Sequence, residues 1–445
     1  MPLTTIRLQN FKSFIDSGEI ALAPLTVIFG RNNTGKSSIL QSLLLLRQTL
    51  DAPADVARLN LRGSVYDAGA YADVVHNHQT SQNVRFCLGV SGGGASTEGK
   101  LELEFRSDEP QAPRLKRLTI TPPQADELVF SPGVGQGGPY ELTIGDKKLG
   151  VGKKANFVFS VNQFLPVIGE VPSHVGRPSR EEKSRTAAKQ ILKAVENSLR
   201  STRAVGAFRR QPDRRYDYGG RPPETVDMTG QHVIDALVED SNRRRNHGDL
   251  VRSVNKWLEK VGRVRLMPIP TITRQTKVYV IRLKDTDSGR WANFADVGFG
   301  IGQALPVIVE GLRTPEDGTF LVQEPEIHLH PDAQLAMADF LIGLVGAKRR
   351  VIVETHSENI LLRIRRAVVQ HTSAGDGSAW GLPRNDISIV HVRKTTDGAS
   401  HAARLDLDDL GQIKNWPRGF MDEATDERLR IMEEMGKAHR RGENA

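Results

Sequence analysis

A short apolar run at residues 25–29 ends at Gly30, and the chain then reads Gly30-Arg31-Asn32-Asn33-Thr34-Gly35-Lys36-Ser37-Ser38 before an apolar-rich stretch reaching about Leu50. Few folds accept this pattern. A buried strand must feed a glycine-hinged loop that opens directly into a helix. The glycines let the backbone curl until successive N–H groups converge, and the helix N-terminus adds its positive dipole end at the same place. Phosphate oxygens are the expected guests. Lys36 has the reach for the β- and γ-phosphates of a nucleotide, and the Ser37 hydroxyl is placed to hold Mg2+. The segment fits G-x-x-x-x-G-K-[ST] at every position.

Two later apolar runs also end in polar clusters. The first is Thr319-Phe320-Leu321-Val322-Gln323-Glu324-Pro325-Glu326. Such a strand delivers acids to the γ-phosphate side of the first loop. Glu324 is the candidate base for positioning an attacking water. The position before it, where a magnesium-side acid is usual, holds Gln323. A neutral amide binds Mg2+ through its oxygen or a water, but more weakly, and Glu324 or Glu326 is the alternative source of charge. The second run is Val351-Ile352-Val353-Glu354-Thr355-His356-Ser357. His356 is placed to bond a γ-phosphate and sense its loss. Alone, a strand ending in acids or a single histidine is commonplace; the first loop gives both their meaning.

The bulk figures fit a nucleotide-using protein of two or three domains. The chain has 445 residues and one cysteine, Cys87, which excludes a disulfide framework. No apolar h-region opens it, and no run approaches the ~18 apolar residues of a membrane span. The longest, residues 39–46, is broken by Gln41 and Ser42. A cytoplasmic protein without a membrane partner is expected. The net charge of +8 is concentrated: residues 177–265 hold 21 Lys and Arg against 12 Asp and Glu, while the remainder holds 40 against 41. That segment is either an electrostatic footprint for a polyanion or a solvated helical surface. Its clusters are Arg209, Arg210, Arg214 and Arg215, then Arg243, Arg244 and Arg245.

Periodicity predicts strands at 4–8, 20–22, 84–90, 101–105, 278–283, 387–392 and 401–407. It predicts helices at 36–50, 180–200, 233–238, 250–261 and 426–439. The Gly- and Pro-rich stretch 121–155 reads as loops or a short hairpin.

The string Glu324-Pro325-Glu326-Ile327-His328-Leu329-His330-Pro331, followed by Glu354-Thr355-His356-Ser357, resembles the SMC, RecF and OLD branch of ABC-type ATPases, as does the opening Ile6-Arg7-Leu8-Gln9-Asn10-Phe11-Lys12-Ser13-Phe14. The resemblance implies an α/β fold: an ABC-type P-loop ATPase head with a mixed sheet and a helical lobe, a largely helical insert, and a small C-terminal α/β extension. The corresponding division is 1–105 and 291–385 for the head, 106–290 for the basic insert and 386–445 for the extension. In that family Lys36 and Ser37 are Walker A, Gln323 and Glu324 Walker B, and His356 the switch histidine. Residues 326–331 are the D-loop, which makes His328 and His330 packing residues rather than a metal pair. The implied cofactors are ATP and Mg2+. A signature motif that meets the ATP of a second copy is expected at Gly298, Gly300, Gly302 and Gln303, although no serine stands there. The Q-loop candidate is Gln79. Residues 411–420 resemble an uncharacterised C-terminal domain found on some of these ATPases.

The leading expectation is an ATPase that dimerises head to tail around ATP, contacts DNA or RNA through its basic segment, and works through a separate effector such as a nuclease in phage defence or DNA repair. The alternatives are a transporter subunit, an OLD-like nuclease using Asp406 and Asp408, and a small-molecule kinase. The Asp406 to Asp409 run reads as a surface turn, and Trp416 and Phe420 as either a docking surface or packing against the chain's own head.

Overall fold

The computed structural model describes residues 2–51, 57–91, 98–107, 113–133, 140–151, 157–159, 164–169, 178–220, 224–243, 248–269, 278–374, 381–417 and 427–435. A six-stranded sheet runs through its centre in the order Arg203–Val205, Thr319–Gln323, Arg350–Glu354, Leu25–Phe29, Ile387–Lys394, Ser400–Leu405. The first five strands are parallel and the last is antiparallel. Parallel strands covered on both faces should be apolar throughout, and Leu25–Phe29 is buried at all five positions.

Alternation along each strand sorts its side chains between two cores. Ile28, Leu321, Ile352 and Val390 join one core, with the helix Lys36–Asp51 and the sheet described next. Val27, Phe29, Val322 and Val353 join the other, packed by the helices Val233–Asn242, Asp249–Gly262, Phe299–Arg313, Pro331–Gly346 and Glu358–Ala374. A mixed sheet with a helical lobe on one face is the arrangement expected.

The second sheet is antiparallel and nine-stranded. It begins with Leu3–Phe11 and continues through Val84–Ser91, Glu98–Arg106, Arg114–Thr121, Leu128–Pro132, Tyr140–Ile144 and Lys147–Val151. It crosses residue 105 without interruption. The stretch expected to be loops or one hairpin thus supplies three strands: Pro122, Pro123 and Gly145 fall between strands, while Leu128, Phe130 and Leu142 fill the core. The expectation of a largely helical insert holds for 180–200, 233–242 and 249–262, but strands occupy much of 114–168. The helix Arg180–Arg200 starts at a capping box: Ser179 Oγ accepts from the Glu182 N–H at 3.1 Å, and the Glu182 carboxylate accepts from the Ser179 N–H at 2.6 Å.

The strands Ile387–Lys394 and Ser400–Leu405, expected in a separate extension, complete the central sheet. Trp416 stacks on Phe29 at 5.6 Å between ring centroids, and His391 stacks on the same ring at 5.1 Å. Trp416 therefore packs against the chain's own head; Phe420 lies outside the described residues, as do 426 and 436–439 of the expected last helix, whose residues 427–435 are helical. Among the described residues no helix is long and apolar enough to cross a membrane.

Candidate functional site

The phosphate loop is held from both sides by neighbours that leave no room for a side chain. A Cβ on Gly30 would sit 2.1 Å from the Val392 carbonyl, and one on Gly35, whose φ is +94°, would sit 2.2 Å from Ser13 Oγ. Asn33 takes the left-handed conformation at φ 60°. The Thr34 hydroxyl and the Lys36 ammonium both donate to the Arg31 carbonyl, each at 2.9 Å, closing the loop on itself. Ser38 opens the helix with its N–H on the Gly35 carbonyl at 3.1 Å. Arg31, Asn32 and Asn33 line the exposed rim. Burial lowers the Lys36 pKa, opposed by the charges of Glu354, Glu324 and Glu326. The sheet thus brings three carboxylates to one ammonium.

Parallel pairing places Gln323 directly beside Glu354. Residues paired in this way project on the same side of the sheet. The Gln323 Nε2 donates to Glu354 Oε2 at 2.9 Å, and the Ser37 hydroxyl donates to Glu354 Oε1 at 2.6 Å. Glu354 is 2% exposed. It was not among the expected site residues, although the sequence carried a signal: like Gln323 and Glu324, it is a polar residue closing a fully apolar strand. The donor set of Ser37 hydroxyl, Gln323 amide and Glu354 carboxylate is all oxygen-bearing, which suits a hard cation such as Mg2+.

Glu324 follows its strand with φ +44°, a conformation that side-chain-bearing residues adopt rarely. Its N–H donates to the Glu354 carbonyl at 2.7 Å. Its carboxylate stands 3.9 Å from His356 Nε2. Burial, and next the Lys36 charge, lower the His356 pKa against the opposing charge of Glu354, which favours the neutral imidazole. Glu326 does something different. It is buried, and its Oε1 accepts from the Thr355 hydroxyl at 2.7 Å and the His356 N–H at 2.6 Å. Burial raises its pKa. Through Oε1 it ties the loop bearing His356 to the strand bearing Glu324, while its Oε2 is buried without a hydrogen-bond partner among the described residues. His330 caps the helix Pro331–Gly346, and the His328 ring meets Phe299 edge-on at 4.6 Å, so the two are capping and packing residues.

The glycine cluster needs correction. A Cβ on Gly300 would lie 2.4 Å from the His328 carbonyl, and one on Gly302 would lie 2.7 Å from Pro212 Cγ. Both glycines are accounted for by close approaches within the chain. Gln303 is 2% exposed, and its Nε2 donates to the Arg209 carbonyl at 3.3 Å, so it does not face outward. Gly298, at the N-terminus of the helix Phe299–Arg313, meets nothing within 4 Å and stays open. Gln79 is exposed and accepts from the Gln82 amide.

Arg209 is not a surface contact for nucleic acid. It is 6% exposed, and its guanidinium donates to the carbonyls of Gln303 at 3.3 Å, Gln323 at 2.5 Å and Glu324 at 3.0 Å. Burial pushes its pKa down to about 10. A fork that satisfies three carbonyls is the physical reason that an arginine sits inside. Arg210 pairs with Asp213 at 3.3 Å, Arg214 holds Asp296 through two bonds of 3.0 and 2.6 Å, and Arg243 pairs with Glu239 at 3.5 Å. Arg215 is exposed; Arg244 and Arg245 lie outside the described residues. At the C-terminal end, the Asp408 carboxylate accepts from the Leu410 and Gln412 N–H groups, and Asp409 pairs with Arg384 at 3.1 Å, as a turn requires.

Solved structures similar to the chain include the SMC head domain from Thermotoga maritima, 13% identical over 91% of this chain and 100% of that one, with a TM-score of 0.40. Another is the SmcHead bound to the C-winged helix domain of ScpA, 12% identical over 92% and 98%, with a TM-score of 0.44. A third is the Smc head domain with an extended coiled coil bound to the C-terminal domain of ScpA derived from Pyrococcus furiosus, 12% identical over 98% and 99%, with a TM-score of 0.39. No curated protein matches the chain. Residues 382–431 match the family described as Protein of unknown function (DUF3696). Residues 25–363, which span the phosphate loop, Glu324 and His356, match the family described as AAA domain, putative AbiEii toxin, Type IV TA system, and the chain belongs to that family.

Proposed function

We propose that the protein binds and hydrolyses ATP, that two copies close on the nucleotide, and that hydrolysis drives a nucleic-acid-related process such as phage defence or DNA repair through a separate effector, plausibly a nuclease. The observation that carries the ATPase reading is the meeting of Lys36, Ser37, Glu324 and His356, contributed by three strands far apart in sequence, around one glycine-hinged loop. Lys36 and the loop N–H groups would neutralise the phosphates. Glu324 would orient the attacking water and accept its proton. His356, its backbone N–H held by Glu326, would donate to the γ-phosphate and register its departure. Ser37 would hold Mg2+, which would supply Lewis-acid neutralisation of the phosphate charge.

Gly298, open at its helix N-terminus, supports closure on a second copy's nucleotide, since an unobstructed helix N-terminus is a ready anion site. The family's link to toxin–antitoxin systems supports a defence role. The hydrogen-bonded turn at Asp408 and Asp409 supports a separate effector over cleavage by this chain. Lys36→Ala should abolish ATP binding, and Glu324→Gln should keep binding and lose turnover. Filter binding and phosphate release on the two variants decide; undiminished hydrolysis by Glu324→Gln would place the base elsewhere.

A further inference from the structure

The strand that usually supplies an ATPase's magnesium-side acid here ends in an amide, Gln323. Three carboxylates stand near the phosphate loop, and their partners separate them. Glu324 faces His356. Glu326 is buried, and through Oε1 it bonds the Thr355 hydroxyl and the His356 N–H rather than Ser37. Glu354 alone among them bonds the Walker A serine. We propose that Glu354 is the magnesium-side acid, acting on the cation through the Ser37 hydroxyl from the neighbouring strand; this rests on the ATPase reading above.

The geometry is that of a carboxylate moved one strand sideways. A hydroxyl has one proton and two lone pairs. With the Ser37 proton donated to Glu354 Oε1 at 2.6 Å, the lone pairs are left for a cation. The Gln323 amide donates to the other carboxylate oxygen at 2.9 Å and fixes its plane. Gln323 is then a strut for the acid rather than a weak copy of it. The register pairs of Gln323 with Glu354, and of Glu354 with Ile28, carry the carboxylate across to the strand that feeds the loop. The bond from the Glu324 N–H to the Glu354 carbonyl makes the same residue a backbone anchor for the base.

The test is the magnesium dependence of nucleotide affinity, measured by titrating a fluorescent, non-hydrolysable ATP analogue in EDTA and in Mg2+. Glu354→Gln is nearly isosteric and leaves Lys36 and the loop N–H groups in place. Its affinity in EDTA should not fall below the wild type's, since a negative charge is removed from beside Lys36, and the tightening brought by Mg2+ should fall by about tenfold or more, the usual loss when a group that orients a metal ligand is removed. A full magnesium response in Glu354→Gln overturns the proposal. Glu354→Asp, which keeps the charge but withdraws it by one methylene, is the second variant. It should also weaken the response, and a wild-type response there overturns the proposal even if Glu354→Gln does not fold. Wild-type protein that binds the analogue in neither buffer overturns the ATPase reading itself, and the proposal falls with it.

Discussion

Replacing Arg209 with alanine should damage both the fold and the chemistry, because one side chain serves both. Its guanidinium satisfies the carbonyls of Gln303, Gln323 and Glu324 from a position 6% exposed. A buried carbonyl stripped of its donor costs about 1–3 kcal/mol. Against three such losses stands the relief of no longer burying a cation, so the net destabilisation should be about 3–5 kcal/mol, as when one side of a buried charged contact is removed. Two of the three carbonyls flank the turn that holds Glu324 at φ +44°. A shift of the base by about 1 Å is enough to cost about a hundredfold in rate. Urea unfolding would give the first quantity and phosphate release at saturating ATP the second. Arg209→Lys should recover little of either, since an ammonium cannot reproduce the fork. An alanine variant within about 1 kcal/mol of wild type that turns over normally would refute the clamp.

Glu310 offers a pH test. It is fully buried, and burial pushes its carboxyl up to about 7 against the opposing pull of Arg313, Arg203, the Val226 N–H and Arg47. A carboxyl that binds its proton more tightly in the folded state stabilises the protein below about pH 4.5, and that contribution is lost as pH rises toward 7, about 3 kcal/mol in all. Glu310→Gln should flatten this fall; identical slopes for the two proteins in denaturant titrations from pH 5 to 8 would refute it. Light scattering should show a larger mass with ATP than with ADP, most of all in Glu324→Gln, and a mass indifferent to nucleotide would count against closure of two copies. Duplex DNA binding, if the basic segment supplies it, should weaken with salt at a log–log slope of about −0.9 per phosphate contact. Reversing the charges of Arg215 and Arg243 should lower that slope, while the DNA stays uncut in Mg2+ or Mn2+; cleavage lost with Asp408→Ala would make the chain its own nuclease.

What was legible in the sequence was what local pattern dictates. The run 25–29, the loop to Ser38 and its helix need only adjacent residues to be understood, and the helices at 180–200 and 249–262 announce themselves by period. Glu354 was missed because its role comes from register, which pairs it with a residue 31 positions earlier in sequence. Arg203–Val205 was missed because three residues carry no period. Arg209 was misplaced because charge type alone predicts exposure, and only the fold shows three carbonyls waiting for a fork. Gly300 and Gly302 drew attention as anion-binding glycines, whereas close packing against His328 and Pro212 already requires them.

The strand order has a consequence for how the chain comes to be folded. Leu25–Phe29 is buried on both sides, yet its sheet neighbours are Arg350–Glu354 and Ile387–Lys394. At ribosomal speeds of about 5–20 residues per second, those neighbours follow on the order of tens of seconds later. Until then the most apolar strand of the nascent chain has no partner in its own sheet, and Ser37 has no Glu354 to bond. The pairing is long-range and parallel, the kind that forms slowly. The phosphate loop is synthesised well before the strands that complete its site. Nucleotide meets a finished site only after Glu354 has reached Ser37.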